Sequence, residues 1–442
     1  MKHKMITALT LLLGFTLQGL AQETKTISLK EAVELSLQNN KQLKINQAKI
    51  DESIAAVKEA KEKKLPGASV SGAYMRLSSA NIDMKSSSSS GGGQSGESPS
   101  PNQAMYGILN VSQPLYSGGK IRYGIQSAEY LEKATRLDAA SQQDEVIQNT
   151  LEAFANLFKA NTAVILVKEN LEQNQQRVKD LTNLEKNGLL ARNDLLKAQL
   201  QQSNVELSLL DAENNLDIAN LNMNILLGLP DNTKLQLDTT GIEKKNDSRS
   251  VDEYVQSALT NRKDKEALGY RLKSAELGVK IANAEKMPNL NLTGGYIAAD
   301  IPKVLSITNA VNVGVGVSYN IASLWKTKSK VDQAKSRVKQ LELTESILDD
   351  NVRLQVNKNY SSLISYRKKI EVMDKAKEQA NENYRIVKNK FDNQLATTTD
   401  LLEADVAKLQ ASMNYTLARA DAFVAYNKLL LAAGTLSQDI NK

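Results

Sequence analysis

The side chains that most often perform chemistry in proteins are almost absent from this sequence. The chain contains no cysteine, and its one histidine is His3, next to the N-terminus. Metal sites built from cysteine and histidine are therefore excluded in a mature chain that lacks the first residues, as are nucleophiles activated by histidine. Carboxylate-only enzymes remain possible, but the sequence shows no separate catalytic unit. We expect a protein that is not an enzyme and that holds no cofactor and no metal ion.

The carboxylates with the most informative spacing lie at two related positions. Asp400 precedes Glu403 by three residues, and Asp194 begins an Asp-Leu-Leu segment that recurs at 400–402. This spacing is typical of a helix capping box, and an Asp in front of an apolar, periodic segment is a common N-cap. We therefore expect Asp400 and Glu403 to form a capping box and Asp194 to cap a helix.

The first residues have the composition of an export signal. Lys2 and Lys4 precede an apolar stretch of 15 residues, and Ala21 follows it. We predict a signal peptide over residues 1–21, with cleavage after Ala21. The alternative is a membrane anchor, but a spanning helix needs about 20 apolar residues. No cysteine follows to accept a lipid, and no later stretch is apolar for long enough to span a bilayer as a helix.

The composition favours long helices packed on other helices. Aromatic residues make up 5 % of the chain, and there are only 7 prolines. The formal net charge of +6 falls by 2, to +4, when Lys2 and Lys4 leave with the signal peptide. No basic stripe with interleaved aromatic residues is present, so we expect no nucleic acid partner.

The sequence contains the same architecture twice. Ser28–Tyr74 aligns with Ser250–Tyr296 at an offset of 222 residues, and a second register, from Ser112 and Ser318 onward, has an offset of 206. The difference of 16 residues equals the length of the Ser/Gly-rich insert 86–101, which we interpret as a solvated loop. We predict two repeats, 22–228 and 250–434, a linker or equatorial segment, 229–249, and a C-terminal tail, 435–442.

Each repeat contains two segments in which apolar and polar residues alternate. The clearest is Val311–Ile321, whose odd positions are apolar or aromatic and whose even positions are small or polar. Such a segment of about ten residues is typical of a transmembrane β-strand, although a half-buried strand of a soluble sheet is the alternative. Weaker versions occupy Pro66–Leu77, Ala104–Tyr116 and Pro288–Ala299. Trp325 follows the last strand and is either an interfacial anchor or a plug between helix and barrel.

Long helices precede and follow these strands along the sequence. We predict an opening helix of about 35 residues that stops at Pro66 or Pro288. Proline-free stretches then predict helices of roughly 100 Å from about 120 to 187 and from about 326 to 392. A closing helix should end at Gly228 or Gly434. Four strands per chain cannot close a barrel in lipid, whereas three chains supply twelve.

The turns between long and closing helices carry a family resemblance. Gly188–Leu196 and Gln394–Leu402 resemble the Gly-Leu-(x)4-Asp-(Val/Leu) turn of TolC-like outer-membrane efflux proteins, the outer membrane factor family. The segments 36–40 and 258–262 are similar to the opening helix of that family, although lysine replaces the usual proline at 41 and 263. The resemblance covers about residues 28–436. It implies a mainly α fold with a β part: a homotrimer with a 12-stranded barrel and a periplasmic α-helical barrel.

The resemblance also implies functional residues at the tips. The acidic constriction of the periplasmic aperture would comprise Asp400, Glu403 and Asp194. The tips that dock a periplasmic adaptor (membrane fusion protein) would comprise Gly188, Leu189, Leu190, Gln394 and Leu395, although Leu189 and Leu395 could instead pack within the turn. The family's closing arginine and tyrosine are replaced by Ala396 and Phe391. Arg192 or Arg385 is the candidate replacement for the missing arginine.

The function implied is an exit duct in the outer membrane that extends into the periplasm. It would pass substrates from an inner-membrane pump and adaptor to the outside, in a tripartite efflux or type I secretion system, with outer-membrane lipid around the barrel. The alternative is a soluble periplasmic coiled-coil adaptor or scaffold. That alternative explains the export signal and the helices, but it leaves the four alternating segments without a role.

Overall fold

The computed structural model describes residues 24–78, 101–239, 249–302 and 304–440. The predicted signal peptide, residues 86–100 of the insert and residues 240–248 of the linker lie outside these ranges. Two compact units divide the chain. The first contains the described residues of Met1–Gln47, Asp138–Lys265 and Ile347–Lys442, and the second contains those of Ala48–Leu137 and Glu266–Ser346.

The same order of elements occurs in both halves of the chain. The first half comprises β1 (Thr24–Ile27), α1 (Leu29–Asn39), α2 (Lys41–Glu62), β2 (Gly67–Arg76), β3 (Gln103–Ser117), α3 (Lys120–Lys186) and α4 (Arg192–Leu227). After β4 (Lys234–Leu237), the second half comprises α5 (Val251–Asn261), α6 (Lys263–Ala284), β5 (Asn289–Ile301), β6 (Leu305–Ser318), α7 (Ser323–Asp392), α8 (Thr398–Ala432) and α9 (Leu436–Ile440). The predicted class, long helices with four main strands, is confirmed.

The long helices have nearly the bounds predicted from the absence of proline. α3 contains 67 residues and α7 contains 70, so each extends about 100 Å. Both contribute to the core of the first unit, where Leu151 of α3 and Val356 of α7 pack with Tyr254 and Leu429 of α5 and α8. No helix in the described ranges has an apolar stretch of the length that a bilayer crossing requires.

The predicted linker contains regular structure that the sequence did not indicate. β4 lies within residues 229–249 and pairs in parallel with β1. Ile27 of β1 is fully buried and packs with Phe154 and Met223, while Leu235 and Leu237 of β4 lie against the same cluster. The segment next to the N-terminus is therefore held by hydrogen bonds and apolar contacts to the linker.

The prediction of one continuous opening helix is wrong in both halves. Asn40 and Arg262 have extended backbones (φ −60°, ψ 123° and φ −69°, ψ 122°), and each separates a short helix from a longer one. The Asn40 Oδ1 accepts hydrogen bonds from the backbone N–H groups of Gln42 (2.8 Å) and Leu43 (3.3 Å), so that it caps α2. A side-chain cap thus maintains the break at Asn40 without a proline.

The second break is maintained by charge. The Arg262 guanidinium donates hydrogen bonds to the Asp264 carboxylate, at 2.7 Å for the closer pair, and the backbone N–H of Lys265 donates to the same carboxylate. Burial alone would raise the pKa of Asp264, but these hydrogen bonds and the charge of Arg262 lower it below its ordinary value. The carboxylate is therefore ionised at neutral pH and fixes the turn.

The four main strands form one antiparallel sheet in the second unit, in the order β2-β3-β5-β6. Side chains directly opposite each other in antiparallel strands lie on the same face. One cross-strand row on the first face is Val70, Leu109, Tyr296 and Val311, and the next row, on the second face, is Ser69, Asn110, Gly295 and Asn312. In the half of the sheet next to the helices, the predicted alternation therefore separates an exposed apolar face from a small and polar one. Farther along the strands, Tyr106, Ile108 and Ile297 also lie on the second face.

Proline is expected to be tolerated at 41 and harmful at 263. Lys41 is exposed and is the first residue of α2, where no helical acceptor exists for its N–H, and Asn40 is already extended. We expect Lys41→Pro to leave the free energy of unfolding unchanged or to raise it by about 0.5 kcal/mol. Lys263 contacts the buried Asp144 at 2.8 Å, so Lys263→Pro should lower the free energy of unfolding by about 2 kcal/mol.

Denaturation of the purified variants measures both effects. The control is Asp144→Asn combined with Lys263→Pro, which removes the unpaired buried charge and should recover part of the loss. Equal losses at 41 and 263 would contradict this account of the two breaks.

Candidate functional site

The first tip, residues 185–197, contains the end of α3, a turn with a left-handed residue and the start of α4. Gly188 has φ +71°, and its N–H donates to the carbonyl oxygen of Glu185 (2.9 Å). The N–H of Leu189 donates to the carbonyl oxygen of Leu184 (2.9 Å). These two hydrogen bonds form a Schellman motif, which terminates α3 and satisfies its last carbonyl groups.

The second tip, residues 391–403, contains the end of α7, a turn and the start of α8, and it has the same geometry with a different residue at the left-handed position. Gln394 has φ +60°, and its N–H donates to the carbonyl oxygen of Phe391 (2.9 Å). The N–H of Leu395 donates to the carbonyl oxygen of Lys390 (2.7 Å). A glutamine in this conformation carries a steric cost that glycine does not, so the second tip is the more strained turn.

Two of the three leucines predicted to dock an adaptor do not pack within their own turns. Leu189 is 71 % exposed and Leu395 is 77 % exposed, although the residue after the left-handed position often contacts its helix. Leu190, by contrast, is half-buried against a small core formed by Leu181, Leu195 and Ala198. Within a single chain, the structure therefore excludes turn packing as the role of Leu189 and Leu395.

Asp400 belongs to a capping box, but in a different register from the one we expected. Thr397 is the N-cap of α8: its Oγ1 accepts from the backbone N–H of Asp400 (3.1 Å) and donates to the Asp400 Oδ2 (2.7 Å). The backbone N–H of Thr397 donates to the same Oδ2 at 2.8 Å. The hydroxyl first, and then the backbone N–H, lower the pKa of Asp400 below its ordinary value. The predicted Asp400–Glu403 box is wrong because Thr397 occupies the N-cap position.

Glu403 lies one turn further along α8. Its side chain is exposed and makes no hydrogen bond or ion pair with any residue in the described ranges. Glu403 and Asp400 are three positions apart and therefore lie on the same side of α8. They form an exposed acidic pair at the start of this helix.

Asp194 does not cap α4, contrary to our expectation. The N-cap is Ala191, which has no side-chain hydrogen bond to offer, and Asp194 lies in the first turn. Its Oδ1 is 3.4 Å from the Nζ of Lys197, and the same Nζ is 3.2 Å from the Thr399 Oγ1. Lys197 therefore links the start of α4 to the start of α8 in one chain, a contact that no sequence pattern indicated.

The two candidate replacement arginines form local ion pairs. Arg192 lies 3.5 Å from Glu185 within the first tip, and Arg385 lies 2.7 Å from Glu382 on the same helix. The hydrogen bond from Arg385 lowers the pKa of Glu382. Among the described residues of one chain, neither arginine bonds to the three predicted aperture carboxylates, so the closing link assigned to them is absent within one copy.

A buried polar cluster near the tips was missed in the sequence. The fully buried Oδ2 of Asp405 accepts hydrogen bonds from Arg177 (3.0 Å), Asn170 (3.1 Å) and Asn174 (3.1 Å), and Arg177 also donates to the Tyr384 hydroxyl (3.1 Å). The cluster ties α3 to both α7 and α8. The spacing of 170, 174 and 177 places three polar side chains on one side of α3, which was the available signal.

A groove with a volume of about 1070 Å³ lies beside this cluster, between the ends of α3 and α7 and the start of α8. Its apolar lining comprises Leu181, Leu184, Leu189, Leu190, Phe391 and Leu401. Glu169, Glu172 and Asp180 of α3 contribute negative charge, and Lys388 and Lys408 contribute positive charge. Among the described residues, no group of three or more acidic or histidine side chains is arranged to hold a metal ion.

The two left-handed positions give a paired stability prediction. Gln394→Gly should raise the free energy of unfolding by about 0.5 kcal/mol, because glycine adopts φ +60° without steric cost. Gly188→Ala should lower it by about 1 kcal/mol, although a Cβ there would meet no other atom within 4 Å. Denaturant titration of both variants tests this, and a loss on Gln394→Gly would contradict the strain assigned to the second tip.

Comparison with known proteins places this arrangement in a family. A model of the outer membrane efflux protein family matches residues 32–229 and 254–435. The outer membrane efflux protein BepC of Brucella suis biovar 1 (strain 1330) is 22 % identical over 446 residues, which cover 99 % of this chain and 91 % of BepC.

Solved structures share the fold. The outer membrane protein VceC of Vibrio cholerae superposes with a TM-score of 0.74 at 18 % identity, over 92 % of this chain and 96 % of VceC. The CmeC outer membrane channel of Campylobacter jejuni gives 0.76 at 18 % identity, over 93 % and 88 %. Because the family model matches most of the sequence, in one segment of each half, the chain belongs to the outer membrane efflux protein family.

Proposed function

We propose that three copies of this chain form an outer-membrane exit duct, which receives substrates from an inner-membrane pump through a periplasmic adaptor and releases them outside. The observation that carries the proposal is the four-stranded sheet, whose half next to the helices has one apolar face and one small and polar face. An apolar exterior with a polar interior is the distribution that a membrane channel requires. The names of the relatives, an efflux protein and a channel, agree with this role.

The sheet supports closure by identical copies. Among the described strands, β2 and β6 each pair on one side only, so a row of backbone N–H and C=O groups remains open at each edge. Such groups cost several kcal/mol each in lipid. All neighbouring strands are antiparallel, so β6 of one copy would run opposite to β2 of the next. Twelve strands from three copies give an even-numbered antiparallel barrel.

The helices also present apolar side chains that a single chain does not cover. On α4 the exposed residues are Leu196, Leu200, Leu207, Leu210, Ile218, Leu221 and Ile225, and on α7 they include Ile347, Leu354, Ile364, Val372 and Ile386. The neighbouring members on α4 are 4, 7, 3, 8, 3 and 4 positions apart, which is the pattern of an apolar stripe along one side of a helix. Contact between copies would bury these stripes and extend the trimer along the helices.

The tips supply the surface for the adaptor. Leu189 and Leu395 are exposed at matching positions of the two turns, and the groove beside them combines apolar residues with charges of both signs. An amphipathic helical partner would bury the leucines and pair with the rim charges. Gly188 and Gln394 determine the backbone conformation of this surface, and Leu190 packs against the small core beside the first turn.

A soluble adaptor or scaffold explains the structure less well. The apolar face of the sheet places Val70, Val311, Val313, Val315 and Val317 in solvent in a single chain, with exposed fractions between 62 % and 81 %. A monomeric soluble protein rarely exposes a contiguous apolar surface of this kind. Lipid would cover it.

Cysteine crosslinking tests the closed sheet, because the natural chain has no cysteine. Ser71 of β2 should be changed to Cys and combined in turn with Cys at Asn312, Gly314 or Gly316 of β6, all on the polar face. We expect mild oxidation in membranes to yield covalent trimers for at least one pair, because the two edges meet between copies. Electrophoresis under non-reducing conditions measures the products.

The matched control combines Ser71→Cys with Thr293→Cys on the central strand β5, which should give no covalent trimer. Conductance of the uncrosslinked protein in a planar bilayer verifies that the duct is open. If no β2–β6 pair crosslinks in conducting protein, the proposed order of copies is wrong.

Charge removal tests the proposed aperture of Asp400, Glu403 and Asp194. Asp400→Asn with Glu403→Gln would remove six carboxylates from a trimer, while Asn retains an acceptor for the Thr397 cap. We expect cation selectivity to fall and block by multivalent cations to weaken about tenfold at low salt. Single-channel recording measures both.

The control is Asp392→Asn, which removes an exposed carboxylate from the last turn of α7. It should change the block less than the double variant does. Unaltered selectivity and block in folded Asp400→Asn/Glu403→Gln trimers would assign these two residues to helix capping alone.

A further inference from the structure

All four junctions between helices and main strands lie at one end of the sheet, where β2 and β5 begin and β3 and β6 end. Gly67, which begins β2, pairs with Ser112 near the end of β3. Asn289, which begins β5, pairs with Ser117 at the end of β3 and with Ser318 at the end of β6. Four helix ends therefore meet the sheet at this same end: the end of α2, the start of α3, the end of α6 and the start of α7. We call residues 58–66, 118–122, 280–288 and 319–330 the junction collar.

The junction collar has a strong excess of positive charge. It contains 11 lysines and arginines, and its 3 acidic residues are Glu59, Glu62 and Glu285. Glu285 is used internally, since it lies 2.7 Å from the Nζ of Lys330 and 3.9 Å from that of Lys120. This carboxylate joins the basic starts of α3 and α7, and it leaves most of the positive charge without a partner.

Several of the cations point to solvent without an ion pair. Lys64, Arg122, Lys326 and Lys328 are exposed, and none of them forms an ion pair with a residue in the described ranges. Every one of the four junctions has at least one exposed or half-exposed Lys or Arg. In a ring of copies, this positive charge would repeat around this end of the closed sheet.

Exposed apolar side chains accompany the charge. Leu65, Leu115, Tyr116, Met287, Ile321 and Trp325 belong to or adjoin the junction collar and are at least half exposed. Trp325 is 63 % exposed, which excludes a plug between elements of one chain. Along the chain, Ile321, Leu324 and Trp325 directly precede Lys326, Lys328 and Lys330, so an apolar layer adjoins a basic one. Amphipathic aromatic rings and long basic side chains are enriched at the boundary between hydrocarbon and headgroups.

We propose that the junction collar binds the phosphate-bearing headgroups of anionic phospholipids at the bilayer boundary around the sheet. This inference rests on the proposed function, because it requires the apolar face of the sheet to lie in lipid. A bilayer boundary satisfies both layers at once: the hydrocarbon covers the apolar side chains, and the headgroup phosphates pair with the lysines. A nucleic acid or an acidic protein would pair with the lysines and leave the adjoining apolar layer uncovered.

Lipid selectivity of the reconstituted protein tests the inference. Spin-labelled phosphatidylglycerol and phosphatidylcholine are each added to vesicles that contain the full-length trimer, and electron spin resonance measures the fraction immobilised at the protein. We expect the wild-type protein to prefer phosphatidylglycerol. Lys326→Gln/Lys328→Gln should reduce the preference about twofold or more, because each lysine near an anionic surface contributes to the attraction. A salt concentration of 1 M should reduce it in the wild type.

The matched control is Lys358→Gln/Lys375→Gln, which removes two exposed lysines from the same helix, 30 or more residues further along. It should keep the wild-type preference. An equal preference for both labelled lipids, or an equal loss in both double variants, would overturn the inference. The inference would also be overturned if added inorganic phosphate abolished the preference while sodium chloride of equal ionic strength did not, because free phosphate would then be the ligand.

Conductance separates this inference from the function on which it rests. Trimers that insert and conduct but show no lipid preference would overturn the junction collar alone. A protein that neither inserts nor conducts in either lipid would overturn both proposals.

Discussion

The open backbone at the two edges of the sheet is the constraint on which the other features depend. Among the described residues, the four-stranded sheet leaves one side of β2 and one side of β6 without hydrogen-bond partners, and its apolar face is exposed. In water such edges promote aggregation, and in lipid each unpaired group is costly. In the proposed trimer, pairing between copies would remove the edges, and lipid would cover the face. Because each chain contributes an even number of antiparallel strands, a ring of copies needs no strand of a different direction.

The helices of a single chain also leave apolar groups uncovered, but at a lower energetic cost than the open edges of the sheet. Their backbone groups are satisfied internally, so only side chains remain to be covered, and in the proposed trimer the stripes on α4 and α7 would be interfaces between copies. Within one chain, α4 and α8 approach closely. The buried Ala418, Ala422 and Ala425 of α8 show that this helix packs through small residues. The inner contacts of one chain thus combine these alanines with buried large residues such as Leu151 and Leu429, while the exposed leucines and isoleucines of α4 and α7 remain for contacts between copies in the proposed trimer.

Local patterns were sufficient to predict the long helices, the four strands and the glycines that end the closing helices, Gly228 and Gly434, because each depends on neighbours along the chain. The capping register was not predictable, since three consecutive threonines, 397–399, offer three possible N-caps and the preceding turn decides among them. Lys197 and Asp405 were missed for a different reason. Their partners Thr399 and Arg177 are more than 200 positions away, so only the folded chain reveals the contacts.

The two tips share a backbone and differ in how they hold charge. In the first tip, Lys197 lies beside Asp194 and also reaches the second tip, so the charge of this carboxylate is balanced within one chain. In the second tip, Thr397 keeps Asp400 ionised without neutralising it, and Glu403 has no partner among the described residues. A neutral hydrogen-bond donor lowers a pKa while it leaves the net charge in place, whereas a lysine cancels that charge. In the proposed trimer, the second tip would therefore supply most of the electrostatic field, and the first tip would maintain the geometry.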